Sequence, residues 1–217
     1  MKKSLYSLML MDDVVREIDE LARSQNTNRS NMVNQILAEY VSMTTPEKTI
    51  NNIFNAVADL LNRDIFSAFF EPHSSTLSLK SSLDYKYRPT IKYEVELYRD
   101  HNQALGELKV IFRTQSAALL MELNRFFRFW TRLETAYLSH YYPQNSITYN
   151  LEEGRFFRTF KMPVGKNYSC DSIANAITSY IEMFDDLLKG YLTGKYPTSN
   201  ILEKKYVEYL NSGADII

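Results

Sequence analysis

Ser4-Leu5-Tyr6-Ser7-Leu8-Met9-Leu10-Met11-Asp12-Asp13-Val14-Val15 is the stretch on which the reading of this chain turns. Leu5 to Leu10 is too short and too apolar for a surface helix, and the Asp12-Asp13 pair halts it, so it reads as a strand. The same two carboxylates suit a helix start, because they oppose the positive end of the helix dipole and accept from free backbone N–H groups. Val14, Val15, Ile18, Leu21 and Ala22 then recur at helical spacing, with Arg16, Glu17, Asp19, Glu20 and Arg23 on the other face.

Gln25-Asn26-Thr27-Asn28 follows as a turn with two Asn residues that tolerate left-handed backbone. Asn28 is placed to cap a second helix, whose stripe is Met32, Val33, Ile36, Leu37, Tyr40 and Val41. A unit of about 45 residues buries too little surface to stand alone, and a single strand has nothing to pair with. Two copies that pair their strands antiparallel and interlock their helices remove both deficits, so a homodimer is expected. The helices would give its core Val14, Ile18, Leu21, Val33, Ile36 and Leu37.

Residues 4–43 resemble the ribbon-helix-helix family of prokaryotic repressors, the Arc, MetJ and CopG class. The resemblance rests on the strand Leu5 to Leu10, the acidic helix start, Ile18-Asp19-Glu20-Leu21-Ala22, and Asn28-Arg29-Ser30-Asn31-Met32-Val33. It covers about a fifth of the chain and implies a DNA-binding transcription regulator, a repressor. A cytoplasmic location is expected separately, because no secretory signal or bilayer-crossing run is legible. A two-stranded ribbon would enter the major groove of double-stranded DNA. The start of the second helix, Asn28, Arg29, Ser30 and Asn31, would clamp a phosphate with its free N–H groups. Lys2 and Lys3 would add backbone contacts.

The chain departs from that pattern in one respect. In the family the last inward strand residue sits four before the first inward residue of the first helix. With Val14 inward, the resemblance therefore implies that Tyr6, Leu8 and Leu10 face the dimer core and Lys3, Leu5, Ser7 and Met9 face the groove, because side chains alternate along a strand. Base edges are read by hydrogen bonds, which among Leu5, Ser7 and Met9 only Ser7 can make. Leu5 and Met9 would lie against thymine methyls, or else the ribbon covers another protein surface. Across residues 1–45, Lys2, Lys3, Arg16, Arg23 and Arg29 stand against Asp12, Asp13, Glu17, Asp19, Glu20 and Glu39, five against six. Two alternatives to a DNA-binding regulator therefore stay open: an interaction protein that uses the unit only to dimerise, and a small-molecule sensor working through the C-terminal region.

Thr45-Pro46-Glu47 is the third helix start. Ile50, Ile53, Phe54, Val57, Leu61 and Phe69 continue it at helical spacing towards Glu71-Pro72. This helix either extends the dimer seam or docks on the C-terminal domain. His73 to Ser82 is Ser-rich and reads as a linker. Residues 1–44, 45–83 and 84–217 are thus expected to be the ribbon-helix-helix domain, a helical connector with its linker, and a C-terminal domain for oligomerisation or sensing.

From Tyr85 the composition shifts to Tyr and β-branched residues. Thr90 to Tyr98 and Leu105 to Arg113 alternate as one hairpin. Residues 116–141 form a long apolar helix, and Ile147 to Leu151 pairs with Arg155 to Met162 around a Glu152-Glu153-Gly154 turn. Helices over 173–191 and 199–211 close the chain. The expected class is α+β, an antiparallel sheet with helices on one face in the order ββα-ββα-α. Arg125, Arg128 and Arg132, and likewise Arg155, Arg158 and Lys161, read as solvated faces rather than anion patches, the first three paired in part by Glu122 and Glu134. The Tyr and Phe residues read as core and dimer contacts.

The 217 residues carry a net charge of −1, which excludes a generally basic nucleic-acid coat but not a local one. Cys170 stands alone, and His73, His101 and His140 are not spaced as metal ligands. The six glycines form no phosphate loop. No catalytic residue, metal or cofactor is expected. The apolar start is interrupted by Ser7 and lacks a signal-peptide cleavage site. No run approaches the roughly 18 apolar residues that cross a bilayer, so no membrane partner is expected.

Overall fold

The computed structural model describes residues 4–70, 74–83, 89–99, 104–142, 147–152 and 154–217. Helices α1 (Asp12–Ser24), α2 (Arg29–Tyr40) and α3 (Pro46–Leu60) come first. Strands β1 (Phe66–Phe69), β2 (Thr76–Ser82), β3 (Thr90–Leu97) and β4 (Gly106–Phe112) follow, then α4 (Ala117–Leu138), β5 (Tyr149–Glu152), β6 (Arg155–Phe160), α5 (Cys170–Thr193) and α6 (Ser199–Leu210). The class is α+β, with one antiparallel sheet of six strands in the order β1-β2-β3-β4-β6-β5.

The helix starts are chemically specified. Thr45 caps α3 through Lys48 N–H, with Pro46 at the first turn, and Ser116 and Ser169 cap α4 and α5. Alternation along β3 and β4 buries Ile91, Tyr93, Val95 and Leu97 with Leu108, Val110 and Phe112, and leaves Lys92, Glu94, Glu107 and Lys109 on the other face. The register aligns Leu79, Tyr93, Val110 and Phe156 in one row across four strands.

Helices α4 and α5 cover that row. Phe127 stacks on Phe156 at 4.7 Å and Phe184 stands edge-on to Tyr93 at 6.3 Å, so both helices share the apolar face of the sheet. Trp130 meets Phe184 at 5.0 Å and Tyr206 of α6 at 5.2 Å. The aromatic residues here are core, each fully buried Phe worth roughly 1.5–3 kcal/mol relative to exposure.

Two sequence expectations need correction. The third helix ends at Leu60 rather than near Glu71-Pro72, and Phe69 lies exposed in edge strand β1. The Ser-rich stretch is not a linker from Thr76 onwards. It is β2, whose Leu77, Leu79 and Ser81 alternate inward while Ser78, Lys80 and Ser82 do not. Serine content masked a period-two pattern. Of the two placements open to α3, the structure shows docking on the C-terminal domain: α3 packs on α5 and buries Ile50, Ile53, Phe54 and Val57 in the main core. The sheet therefore has two strands more than the ββα-ββα-α order allows.

Candidate functional site

The N-terminal two-helix unit is built as its residues require. Asp12 and Asp13 occupy the first turn of α1. Asn26 adopts a left-handed φ of 50° in the turn. Asn28 caps α2, its Oδ1 accepting from Asn31 N–H at 2.9 Å. That bond uses one of the orphan donors at the start of α2 and leaves others facing outward beside Ser30, which is exposed.

Arg29 is not free at this helix start. Its Nε and Nη2 donate to the two Asp19 carboxylate oxygens at 2.7 and 2.5 Å. The hydrogen bond and charge of Asp19 raise the guanidinium pKa, and Arg29 in turn holds the Asp19 carboxyl below its ordinary range. A bidentate Arg–carboxylate pair competes directly with a phosphate for the same fork of donors.

Between the helices only Ala22 and Met32 are buried. Val15, Ile18 and Val33 are half-buried, while Val14, Leu21, Ile36 and Leu37 are exposed, Leu37 to 52%. Residues 4–11 form no strand within the single chain, and Leu5, Tyr6, Leu8 and Met9 are largely or wholly exposed, with Ser7 and Leu10 also on the surface. The expected strand is thus unformed here for a plain reason: a ladder needs a second strand, and none of the described residues supplies one. Lys2 and Lys3 lie outside the described residues, as do His73 and His101.

The C-terminal region holds two buried polar centres that sequence periodicity did not reveal. Arg158 is not on a solvated face: it is 1% exposed and its Nε donates to Glu134 Oε2 at 2.9 Å and Oε1 at 3.2 Å. Its Nη2 donates to the Ile217 carbonyl at 2.6 Å, and its guanidinium lies 4.3 Å over the Tyr180 ring. Burial is the strongest single influence and opposes the charge, but the charge and hydrogen bond of Glu134 together with the neighbouring Tyr180 and Tyr149 hold Arg158 well above its ordinary range. Glu134 consequently pairs with β6 and not with the exposed arginines of its own helix; Arg125 pairs with Glu122 at 2.8 Å as the spacing suggests. The inward position of Arg158, between Phe156 and Phe160 in a period-two strand, was the available signal.

The second centre is Asp185, which accepts from Tyr93 OH at 2.7 Å and Ser81 Oγ at 3.2 Å and pairs with Lys189 Nζ at 2.6 Å. It joins α5 to β2 and β3. Burial raises its carboxyl pKa, and the bonds from Lys189, Tyr93 and Ser81 offset only part of that rise. Ser81 is 1% exposed, so this cluster offers no nucleophile to a substrate.

Among the described residues no three His, Cys, Asp or Glu side chains converge on a metal-sized site, and no helix is long and apolar enough to cross a membrane. No protein-family model, curated protein or solved structure matches the chain.

Proposed function

We propose that this chain is a cytoplasmic, homodimeric, sequence-specific DNA-binding regulator, a repressor whose residues 4–43 form a ribbon-helix-helix unit with a second copy. The carrying observation is the two-helix unit itself. Two helices, the second capped by Asn28, joined by a left-handed Asn turn keep Val14, Leu21, Ile36 and Leu37 exposed next to an unpaired apolar segment at 4–11. Pairing of Leu5 to Leu10 across a two-fold axis would cover Tyr6, Leu8 and Leu10, and the exposed helix residues would close over them. The α2 start, with Asn28, Ser30 and Asn31, would then meet a phosphate, and Leu5, Ser7 and Met9 would enter the major groove. The six-stranded domain adds oligomerisation or effector sensing.

The engaged state of Arg29 and the apolar groove residues favour a second reading, in which the unit serves only for assembly. Selection of bound duplexes from random oligonucleotides separates the two. A regulator enriches a palindrome, binds it as a dimer, and loses affinity steeply with salt. An assembly module enriches nothing. Leu21→Glu with Ile36→Glu gives monomers in sedimentation under both readings, and abolishes palindrome binding under the first. A variant pair that stays dimeric would sink the proposed seam.

A further inference from the structure

Helices α4 and α5 pack over the face of the sheet that carries Tyr93 and Phe156. The opposite face carries charged side chains, half-buried or exposed, which the strand register sets in three rows. In the first row Lys80 of β2 stands directly opposite Lys92 of β3. Arg155 of β6 continues this row beyond Ile111, and Glu152 ends it at β5. In the second row Glu94 stands opposite Lys109, and in the third Glu96 of β3 stands directly opposite Glu107 of β4. Like charges directly opposite each other destabilise a sheet. This face has one such pair of each sign.

The middle row is neutral in itself, since Glu94 pairs with Lys92 at 2.5 Å and with Lys109 at 3.5 Å. Lys80, Glu96 and Glu107 take part in neither bridge and form none of their own among the described residues. Burial, together with the charges of Glu96 and Glu152, raises the Glu107 carboxyl above its ordinary range, and Lys109 offsets only part of that rise.

We infer that this face of the sheet is an interface between two copies of the chain, joining two ribbon-paired dimers into a tetramer. A half-turn about a line running across the strands, along the Glu94–Lys109 row, places Lys92 over Glu96 of the second copy. Lys80 and Arg155 then flank the second copy's acidic pair, one strand to either side, and symmetry repeats the contact in reverse. Neighbouring rows are two residues apart, about 7 Å along the strand, so both outer rows engage within one pair of faces. A purely acidic or purely basic partner would answer one row and be repelled by the other. Exposed ion pairs are individually weak. The tetramer therefore rests on the ribbon-helix-helix pairing, which gives each dimer two faces that hold together better than one.

Sedimentation equilibrium of the full-length chain tests this. The parent should be a tetramer at low salt and fall to dimers between about 0.1 and 1 M salt, as the screening length shrinks from about 10 to about 3 Å. Lys80→Glu with Lys92→Glu should be dimeric throughout, and so should Glu96→Lys with Glu107→Lys. Mixing these two variants in equal amounts should restore tetramers, because a mainly acidic face then meets a mainly basic one. Lys80→Glu alone, at an exposed position outside the Glu94 bridges, should move the tetramer–dimer midpoint to lower salt. The inference is overturned if the parent stays dimeric at low salt, if the reversed variants remain tetrameric, if their mixture stays dimeric, or if Lys80→Glu leaves the midpoint unmoved. Failure of the ribbon seam has a different signature: Leu21→Glu with Ile36→Glu would still form dimers, and adding Lys80→Glu would dissociate them, which upholds the sheet contact.

Discussion

Arg29, the first residue of α2, grips Asp19 in the middle of α1 with two parallel N–H···O bonds of 2.7 and 2.5 Å. The pair links the two helices and occupies the Nε and Nη2 donors of the guanidinium at the start of α2. Phosphate binding there requires the exchange of one anion for another.

On the proposed DNA-binding reading, Asp19→Asn should therefore tighten duplex binding and Arg29→Ala should weaken it. The slope of log affinity against log salt should steepen by about 0.9 for each arginine released onto a phosphate. Fluorescence anisotropy at several salt concentrations measures both. Equal weakening by the two variants would mean that Arg29 only positions the helices.

Glu134 and Arg158 are both nine-tenths buried or more, so each depends on the other. Glu134→Leu leaves a charged guanidinium without its carboxylate and should cost roughly 3–5 kcal/mol in urea unfolding. Glu134→Leu combined with Arg158→Met removes both charges and should recover most of that loss. A double variant as unstable as the single one would show that the pair organises the surrounding tyrosines beyond its own charges.

Asp185 sets a pH dependence of definite sign. Its carboxyl pKa is raised in the folded chain by burial, so the native state holds a proton over a range where the unfolded chain has released it. The stabilising contribution is complete below the ordinary carboxylate pKa and is lost as pH rises through the raised value. Asp185→Asn should flatten this component, seen as a smaller fall in unfolding free energy from about pH 4 towards neutrality. A variant curve parallel to the parent's would reject the assignment.

Gly106 lies opposite Leu97 in the β3–β4 ladder, and a Cβ there would come within 2.0 Å of the Glu96 carbonyl oxygen. Neither backbone can yield without breaking register. Gly106→Ala should destabilise the sheet by about 1–3 kcal/mol, the usual cost of overpacking a buried site. The urea midpoint reads this directly.

Period and capping made much of this chain legible in one dimension. The α1 stripe, the Asn28 cap, the Thr45-Pro46 start, the alternation of β3 and β4 and the two long helices all follow from local spacing, because 3.6- and 2-residue periods record which side chains must leave water. The α+β class came with them.

What folding in three dimensions decided is where those faces go. Only packing against α5 shows that α3 joins the sheet domain, and only strand neighbours show that Ser-rich residues 76–82 are β2 rather than a linker. Glu134 lies 24 residues from Arg158, and Ser81 and Tyr93 lie 104 and 92 residues from Asp185, separations that no local pattern encodes. Charge type in a sequence names what must be neutralised. The neutralising partner is fixed by the close packing of side chains distant along the chain. The segment at 4–11 marks the same division: its apolar residues demand a cover, and the single chain does not contain one among its described residues.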